Sequence, residues 1–134
     1  MTPVFADTSF YIAVVNPRDS LHHRAADLAR RLHRQAVTTE YVLIEVGNCL
    51  SRAADRPAFL ELLRHIEADP NTLVVPSSPD LFADGGALFG QRLDKDWSLT
   101  DCISFVAMRR RGLTDALASD HHFRQAGFTL LLEP

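Results

Sequence analysis

The chain has 134 residues, a length that predicts one domain, residues 1–134, around a single hydrophobic core. Hydrophobic residues make up 46% of it, which argues against a disordered chain. The net charge of -3 does not indicate a nucleic-acid-binding surface. Lys95 is the only lysine, however, so arginines at 30, 31, 34 and 109–111 could form a local patch that binds phosphate. The alternative is that these arginines lie on solvated helix faces and near helix ends.

Short apolar runs alternate with segments of helical spacing along the whole chain. In chain order, the pattern predicts a strand at residues 4–6, helices at 10–15 and 21–35, a strand at 36–38, helices at 40–54 and 57–67, a strand at 72–75, helices at 79–93 and 98–111, a strand at 115–119, a short helix, and a strand at 128–132. Asp19 or Ser20 is the expected cap of the second helix. The strands are continuous apolar runs, which indicates a mostly parallel sheet covered on both faces. In such sheets, ligands bind beyond the carboxyl ends of the strands.

Cysteine use and targeting signals both favour a cytoplasmic protein. Cys49 and Cys102 lie in apolar segments of helical spacing, a context typical of buried free thiols. The N-terminus lacks a cationic start, so no signal peptide is visible. No apolar run approaches the length that crosses a membrane.

Four acidic residues stand beside apolar residues, where a carboxylate is unfavourable to bury. Asp7 and Asp120 follow predicted strands, whereas Glu45 and Asp101 lie in predicted helices. If all four met at one edge of the sheet, they would form a site for a hard divalent cation, because such ions prefer carboxylate oxygens.

Each of these acids also has a purely structural explanation. Asp7 and Asp120 are placed to cap the helices that follow them. Asp101 completes a capping-box pattern that begins at Ser98. Glu45 shares a helix stripe with Arg52 at the boundary of the apolar face, where an ion pair contributes little. Capping explains each aspartate alone, but it does not explain four acids at the same end of one sheet.

These acids and their neighbours resemble the PIN-domain family, and more narrowly its small VapC-type toxins of toxin–antitoxin pairs. The resemblance rests on Glu45 and on the segments 5–9, 98–102 and 119–123, and it covers nearly the whole chain. It implies a three-layer α/β/α fold with a five-stranded parallel sheet, and an endoribonuclease that depends on Mg²⁺ or Mn²⁺. The implied catalytic and metal-binding residues are Asp7, Glu45, Asp101 and Asp120, with supporting polar residues Thr8, Ser9 and Thr100.

A histidine pair departs from the pattern of some relatives, which have a further acid shortly after the fourth. Here His121 and His122 occupy that place, so the number of ions bound, one or two, remains open. Adjacent histidines cannot easily share one zinc ion, and no paired-cysteine or His-Glu-x-x-His spacing accompanies them. We expect His122 and Phe123 to pack or orient rather than to bind metal.

The resemblance also implies partners: an RNA substrate, a small antitoxin protein encoded nearby and a second copy in a homodimer, with no membrane. Transfer, ribosomal and messenger RNA all remain open as substrates. Three other functions stay open. One is a PIN-domain nuclease that processes RNA without being a toxin, and another is a non-catalytic RNA- or protein-binding module. The third is a phosphoryl-transfer enzyme that is phosphorylated on Asp7. Such enzymes usually need a lysine or arginine near the phosphate.

Overall fold

The computed structural model describes residues 2–133, and five parallel strands form one sheet in it. The strands are β1 (Val4–Ala6), β2 (Ala36–Thr39), β3 (Thr72–Val75), β4 (Asp115–Leu117) and β5 (Thr129–Leu130). The helices are α1 (Thr8–Val15), α2 (His22–Arg31), α3 (Glu40–Cys49), α4 (Arg56–Ala68), α5 (Pro79–Gln91), α6 (Leu99–Arg110) and α7 (His121–Gln125). Every predicted element is present, and the α/β/α fold with a five-stranded parallel sheet is confirmed.

The strand order is β3-β2-β1-β4-β5, so β1 lies at the centre of the sheet. The chain builds outwards from β1 through β2 to β3, then crosses to the other side of β1 to add β4 and β5. The order therefore reverses between β1 and β4, and a crevice forms at the carboxyl ends of these two strands. Ala6 pairs with Leu117 in the register, so the segments that follow β1 and β4 emerge side by side.

Helices cover both faces of the sheet because right-handed crossovers direct the connections on either side of β1 to opposite faces. On one face α1 packs against α2 and α4, and on the other α6 packs against α5 and α7. All three residues of β1 are fully buried, which explains its unbroken apolar sequence. None of the helices within residues 2–133 is long and apolar enough to cross a membrane.

Several local predictions are corrected. The third helix, α3, ends at Cys49 rather than at residue 54, and a turn closed by the N–H of Asp55 on the carbonyl of Arg52 follows it. Cys49 is consequently exposed, and only Cys102 is the buried thiol that was predicted. No side chain caps α2: Asp19 instead accepts a hydrogen bond from the N–H of Leu21, at 2.9 Å, in the preceding turn.

Four of the arginines considered as a phosphate-binding patch have carboxylate partners nearby: Arg30, Arg31, Arg34 and Arg110. The Arg34 guanidinium donates to the carbonyl of Thr2 at 2.7 Å and to Asp115 at 2.9 Å, which ties together the amino ends of β1 and β4. Arg31 forms an ion pair with Asp27 at 2.7 Å. The contact of Arg31 supports the alternative of a solvated helix face with a nearby counter-charge, whereas Arg34, with its side chain 14% exposed, joins two strands.

Candidate active site

Asp7 lies directly after the central strand β1 and is only 4% exposed. It caps α1, because its Oδ2 accepts hydrogen bonds from the N–H of Ser9 at 3.4 Å and from the Ser9 hydroxyl at 3.0 Å. The Ser9 hydroxyl in turn accepts a hydrogen bond from the N–H of Ser119, at 3.2 Å, in the segment that follows β4. Ser9 therefore joins the two loops that border the crevice.

Asp101 lies in the first turn of α6, where the predicted capping box is present. The Ser98 hydroxyl accepts from the N–H of Asp101, and Oδ2 of Asp101 accepts from the N–H of Ser98, both at 3.0 Å. The same Oδ2 lies 3.1 Å from Nδ1 of His122. The structural explanation for Asp101 is thus correct, and the carboxylate has a further partner in α7.

Asp120 caps α7, again as its structural explanation predicts. Its Oδ1 accepts from the N–H of His122 at 3.0 Å and lies 3.3 Å from Nδ1 of the same histidine. The His122 ring therefore stands between Asp120 and Asp101. His121 is farther from Oδ1 of Asp120, at 3.6 Å, and its side chain is 69% exposed.

The short helix α7 is held in place by aromatic packing. Phe123 is fully buried, and its ring lies 4.9 Å from the ring of Phe105 in α6. The prediction that Phe123 packs is therefore confirmed. The indole N–H of Trp97 donates to Gln125 at 3.0 Å. Because five residues are too few for a stable isolated helix, these contacts fix where Asp120 and His122 lie.

The three aspartates influence one another electrostatically. The pKa of Asp7 is raised to about 7, mainly by burial and in part by the charge of Asp101, against hydrogen bonds from Thr8 and Ser9 that lower it. Burial also raises the pKa of Asp101, and the charge of Asp120 acts in the same direction, against hydrogen bonds from Ser98 and His122. A divalent cation would remove this repulsion, because it favours the ionised form of every carboxylate around it.

Capping and cation binding do not exclude each other here. Within residues 2–133, the capping hydrogen bonds end on Oδ2 of Asp7, Oδ2 of Asp101 and Oδ1 of Asp120. One oxygen of each carboxylate is therefore free of a capping bond. Three aspartates at one edge of the sheet can cap their helices and still offer oxygens to an ion.

Glu45 is the predicted acid for which no link to the others is seen. It is half-buried on α3, and its charge, after burial, raises the pKa of Cys49. Its expected ion pair with Arg52 is absent from the part of the chain that is described. The reason is that α3 ends at Cys49, so Arg52 no longer continues the helical stripe. Thr100 is half-exposed at the start of α6.

The donor set suits a hard divalent cation. Besides the carboxylates, the Thr8 hydroxyl beside Asp7 is buried and has no hydrogen-bond partner within residues 2–133. A buried hydroxyl is normally satisfied, so a water bound to an ion is a fitting partner for it. Oxygen donors of this kind fit Mg²⁺ or Mn²⁺, which keep several waters. Within residues 2–133, the group of histidine, cysteine and acidic side chains whose ligand atoms lie within 4.8 Å of one another is Asp120, His121 and His122.

A cavity of 860 Å³ lies elsewhere, between α1, α2 and α4, and none of the four acids lines it. We place the candidate chemistry at the crevice instead, because the buried carboxylates Asp7 and Asp101 lie there.

Sequence reasoning missed two contacts that shape this crevice. Ser119 was not recognised as a partner of Ser9, because a backbone N–H has no sequence signature. The contact between His122 and Asp101 spans 21 positions, and its only signal was that His122 stands next to a predicted site acid.

The fold is a parallel sheet between two layers of helices, and aspartates lie beside its central strand. These two features define a class of α/β proteins with an acidic site at the edge of the sheet. The PIN domain profile matches residues 4–129, and the chain belongs to the PIN-domain family. It is 29% identical over 125 residues to the 23S rRNA-specific endonuclease VapC20 of Mycobacterium tuberculosis, an alignment covering 93% of this chain and 95% of the relative.

Solved structures agree with this assignment. The crystal structure of Mycobacterium tuberculosis VapC20, a sarcin–ricin loop cleaving toxin, matches with a TM-score of 0.86 at 28% identity, over 94% of this chain and 96% of that one. VapBC2 from Rickettsia felis, bound to a DNA fragment from its promoter, matches with a TM-score of 0.67 at 13% identity, over 96% and 97% of the two chains. FitAcB from Neisseria gonorrhoeae matches with a TM-score of 0.64 at 14% identity, over 95% of each. The last two matches concern the fold alone.

Proposed function

We propose that residues 1–134 form one nuclease domain, a metal-dependent endoribonuclease that hydrolyses phosphodiester bonds in RNA. The proposal is supported by the placement of Asp7 after β1 and Asp120 after β4, and by the contacts of His122 with both Asp101 and Asp120. One oxygen of each aspartate is free of capping bonds. Together with Glu45, they are the acids that the family resemblance assigned.

Mg²⁺ or Mn²⁺, when bound, supplies Lewis-acid chemistry: it polarises a phosphate and lowers the pKa of a water. The residues of the chain would hold the ion, orient the carboxylates around it and exclude bulk water. Asp7 and Asp120 offer oxygens from the loops after β1 and β4, and Ser9 orients Asp7. The Thr8 hydroxyl is placed to hold a water beside Asp7. No side chain is assigned as the general base.

The substrate that we propose is ribosomal RNA of the large subunit. The VapC20 relative acts on 23S rRNA, and the identity to it extends over 93% of this chain rather than over a motif alone. We also propose that the protein is the toxin of a toxin–antitoxin pair, active in the cytoplasm as a homodimer and inhibited by a small protein encoded nearby. The VapC20 structure, which matches at 28% identity, is named as a sarcin–ricin loop cleaving toxin.

The test combines cleavage with folding. Purified protein is incubated with large-subunit RNA in Mg²⁺ or Mn²⁺, with and without excess chelator, and cut sites are mapped. Asp101→Asn is compared with Glu67→Gln, which removes an exposed acid on α4 far along the chain from the crevice. We expect chelator and Asp101→Asn to abolish cleavage, while Glu67→Gln cleaves normally and all variants remain folded.

Three results would count against the proposal. Cleavage at full rate in excess chelator would remove the metal mechanism. Unfolding of Asp101→Asn together with loss of cleavage would favour a capping role alone. Binding of RNA without any cut would point to the non-catalytic module.

A further inference from the structure

The His122 side chain joins two acids that come from different elements. Its Nδ1 lies 3.1 Å from Oδ2 of Asp101 in α6 and 3.3 Å from Oδ1 of Asp120 before α7. The ring is 18% exposed, and the Asp101 side chain is 8% exposed. This contact is the one side-chain bridge between Asp101 and Asp120 in the part of the chain that is described.

The position of Nδ1 between two carboxylate oxygens decides which way the hydrogen bond runs. A bare Nδ1 would turn its lone pair towards both negative oxygens, whereas an Nδ1–H donates to them. The ring is therefore a donor through Nδ1, with Asp101 as the nearer acceptor. Nε2 remains as the only ring nitrogen available to anything else.

The bridged oxygens are also the capping oxygens. Oδ2 of Asp101 takes the capping bond from Ser98, and Oδ1 of Asp120 takes the capping bond from His122 itself. The His122 ring thus contacts, in each carboxylate, the oxygen that also caps a helix. The second oxygen of each is left for a ligand.

We propose that His122 is a positioning residue, whose Nδ1–H holds Asp101 and Asp120 in the arrangement that one divalent cation binds. The relevance of this inference to cleavage rests on the proposed function, whereas the experiment below measures metal binding. Two carboxylates repel each other before the ion arrives, and a donor shared between them offsets that repulsion. Hydrogen bonds of this kind to metal-binding carboxylates orient them for the ion.

The competing role for His122 is that of a direct ligand, since Asp120, His121 and His122 lie close enough to share an ion. Hard cations prefer oxygen donors, and Nδ1 of His122 is already occupied by carboxylates. His121 is largely exposed and has only the long contact to Asp120. His65 on α4, whose side chain is 77% exposed and which is not in this group, serves as the matched control.

The experiment compares four variants of the whole chain by Mn²⁺ titration, followed by electron paramagnetic resonance. His122→Ala and His122→Leu remove the donor, and Leu keeps much of the volume in case Ala fails to fold. His122→Asn restores an N–H near the position of Nδ1. We expect the donor-less variants to bind Mn²⁺ about 10- to 100-fold more weakly. His122→Asn should recover most of this affinity, and His65→Ala should match the wild type.

Cleavage kinetics give a second measure at saturating Mn²⁺. The donor-less variants should lose kcat with little change in KM, because in this proposal His122 acts through the position of Asp101 and Asp120 and not on the RNA. Mn²⁺ affinity unchanged in the donor-less variants overturns the proposal, as does an equal loss in His122→Asn, which would indicate a ligand. Absence of Mn²⁺ binding by the wild type also overturns it. If Mn²⁺ affinity follows the expected order but no RNA is cut, the positioning role stands and the nuclease proposal fails.

Discussion

The Ser9 hydroxyl lies 3.0 Å from Oδ2 of Asp7 and 3.2 Å from the backbone nitrogen of Ser119. One small side chain thus donates to the buried acid after β1 and accepts from the loop after β4. Both bonds are lost together in Ser9→Ala. Removing them leaves the N–H of Ser119 without this partner and the buried Asp7 carboxylate with backbone donors only, and both losses are unfavourable.

Ser9→Ala is therefore expected to lower the free energy of unfolding by about 1–3 kcal/mol, measured by urea unfolding. The neighbouring substitution Thr8→Val is the control. The Thr8 hydroxyl has no hydrogen-bond partner within residues 2–133, so a methyl group in its place should leave the stability unchanged or higher. A similar loss in both variants would contradict the assigned hydrogen bonds.

The metal-free protein should lose stability as the pH rises through the titration of Asp7. Burial raises the pKa of this group from 3.8 to about 7, so between these values the folded state binds a proton that the unfolded state has released. The contribution of Asp7 to the free energy of unfolding is greatest below pH 3.8, and it falls as the pH rises towards 7. The whole change amounts to about 4 kcal/mol at most.

Asp7→Asn isolates this effect, because the amide can still cap α1 but cannot ionise. Urea unfolding in chelator at about pH 5 and about pH 8 should show the variant gaining on the wild type as the pH rises. Parallel pH profiles for the two proteins would mean that Asp7 titrates normally.

Binding of Mn²⁺ should release a proton below neutral pH. Asp7 is protonated there because its pKa is raised to about 7, and a metal ligand must be ionised. Affinity should therefore weaken by up to about tenfold per pH unit as the pH falls below 7. Calorimetry in buffers of different ionisation enthalpy measures the protons released, and a count of zero at about pH 6 would refute the prediction.

Gly85 permits the close approach of α5 and α6. A Cβ added there would lie 2.3 Å from Cγ1 of Ile103 and 3.1 Å from its Cα, so side chain and backbone would both have to move. Gly85→Ala should lower the free energy of unfolding by about 1–3 kcal/mol through overpacking. Thermal unfolding provides the measurement.

Gly86→Ala, one position along the same helix, is the matched control. Nothing lies within 4 Å of a Cβ at Gly86, so only the helix propensity changes. That change should raise the stability by up to about 1 kcal/mol. Destabilisation of equal size in both variants would show that packing against Ile103 is not the cause.

The sequence was sufficient where a structural preference is local. β1 was predicted because a strand buried on both faces must be apolar throughout. The capping box at Ser98 and Asp101 was predicted because its two hydrogen bonds join residues three positions apart. The end of α3 was not predicted: apolar spacing continues past Cys49, but a turn closed on Arg52 interrupts the helix.

By itself the sequence determined the order of strands and helices, and the caps at Asp7, Asp101 and Asp120. These depend on residues close together along the chain. Only the tertiary structure decided which carboxylates meet. β4 had to lie beside β1, and Phe123 had to pack on Phe105, before His122 could reach both Asp101 and Asp120. Convergence of this kind depends on strand order and packing between distant segments, which local periodicity does not specify.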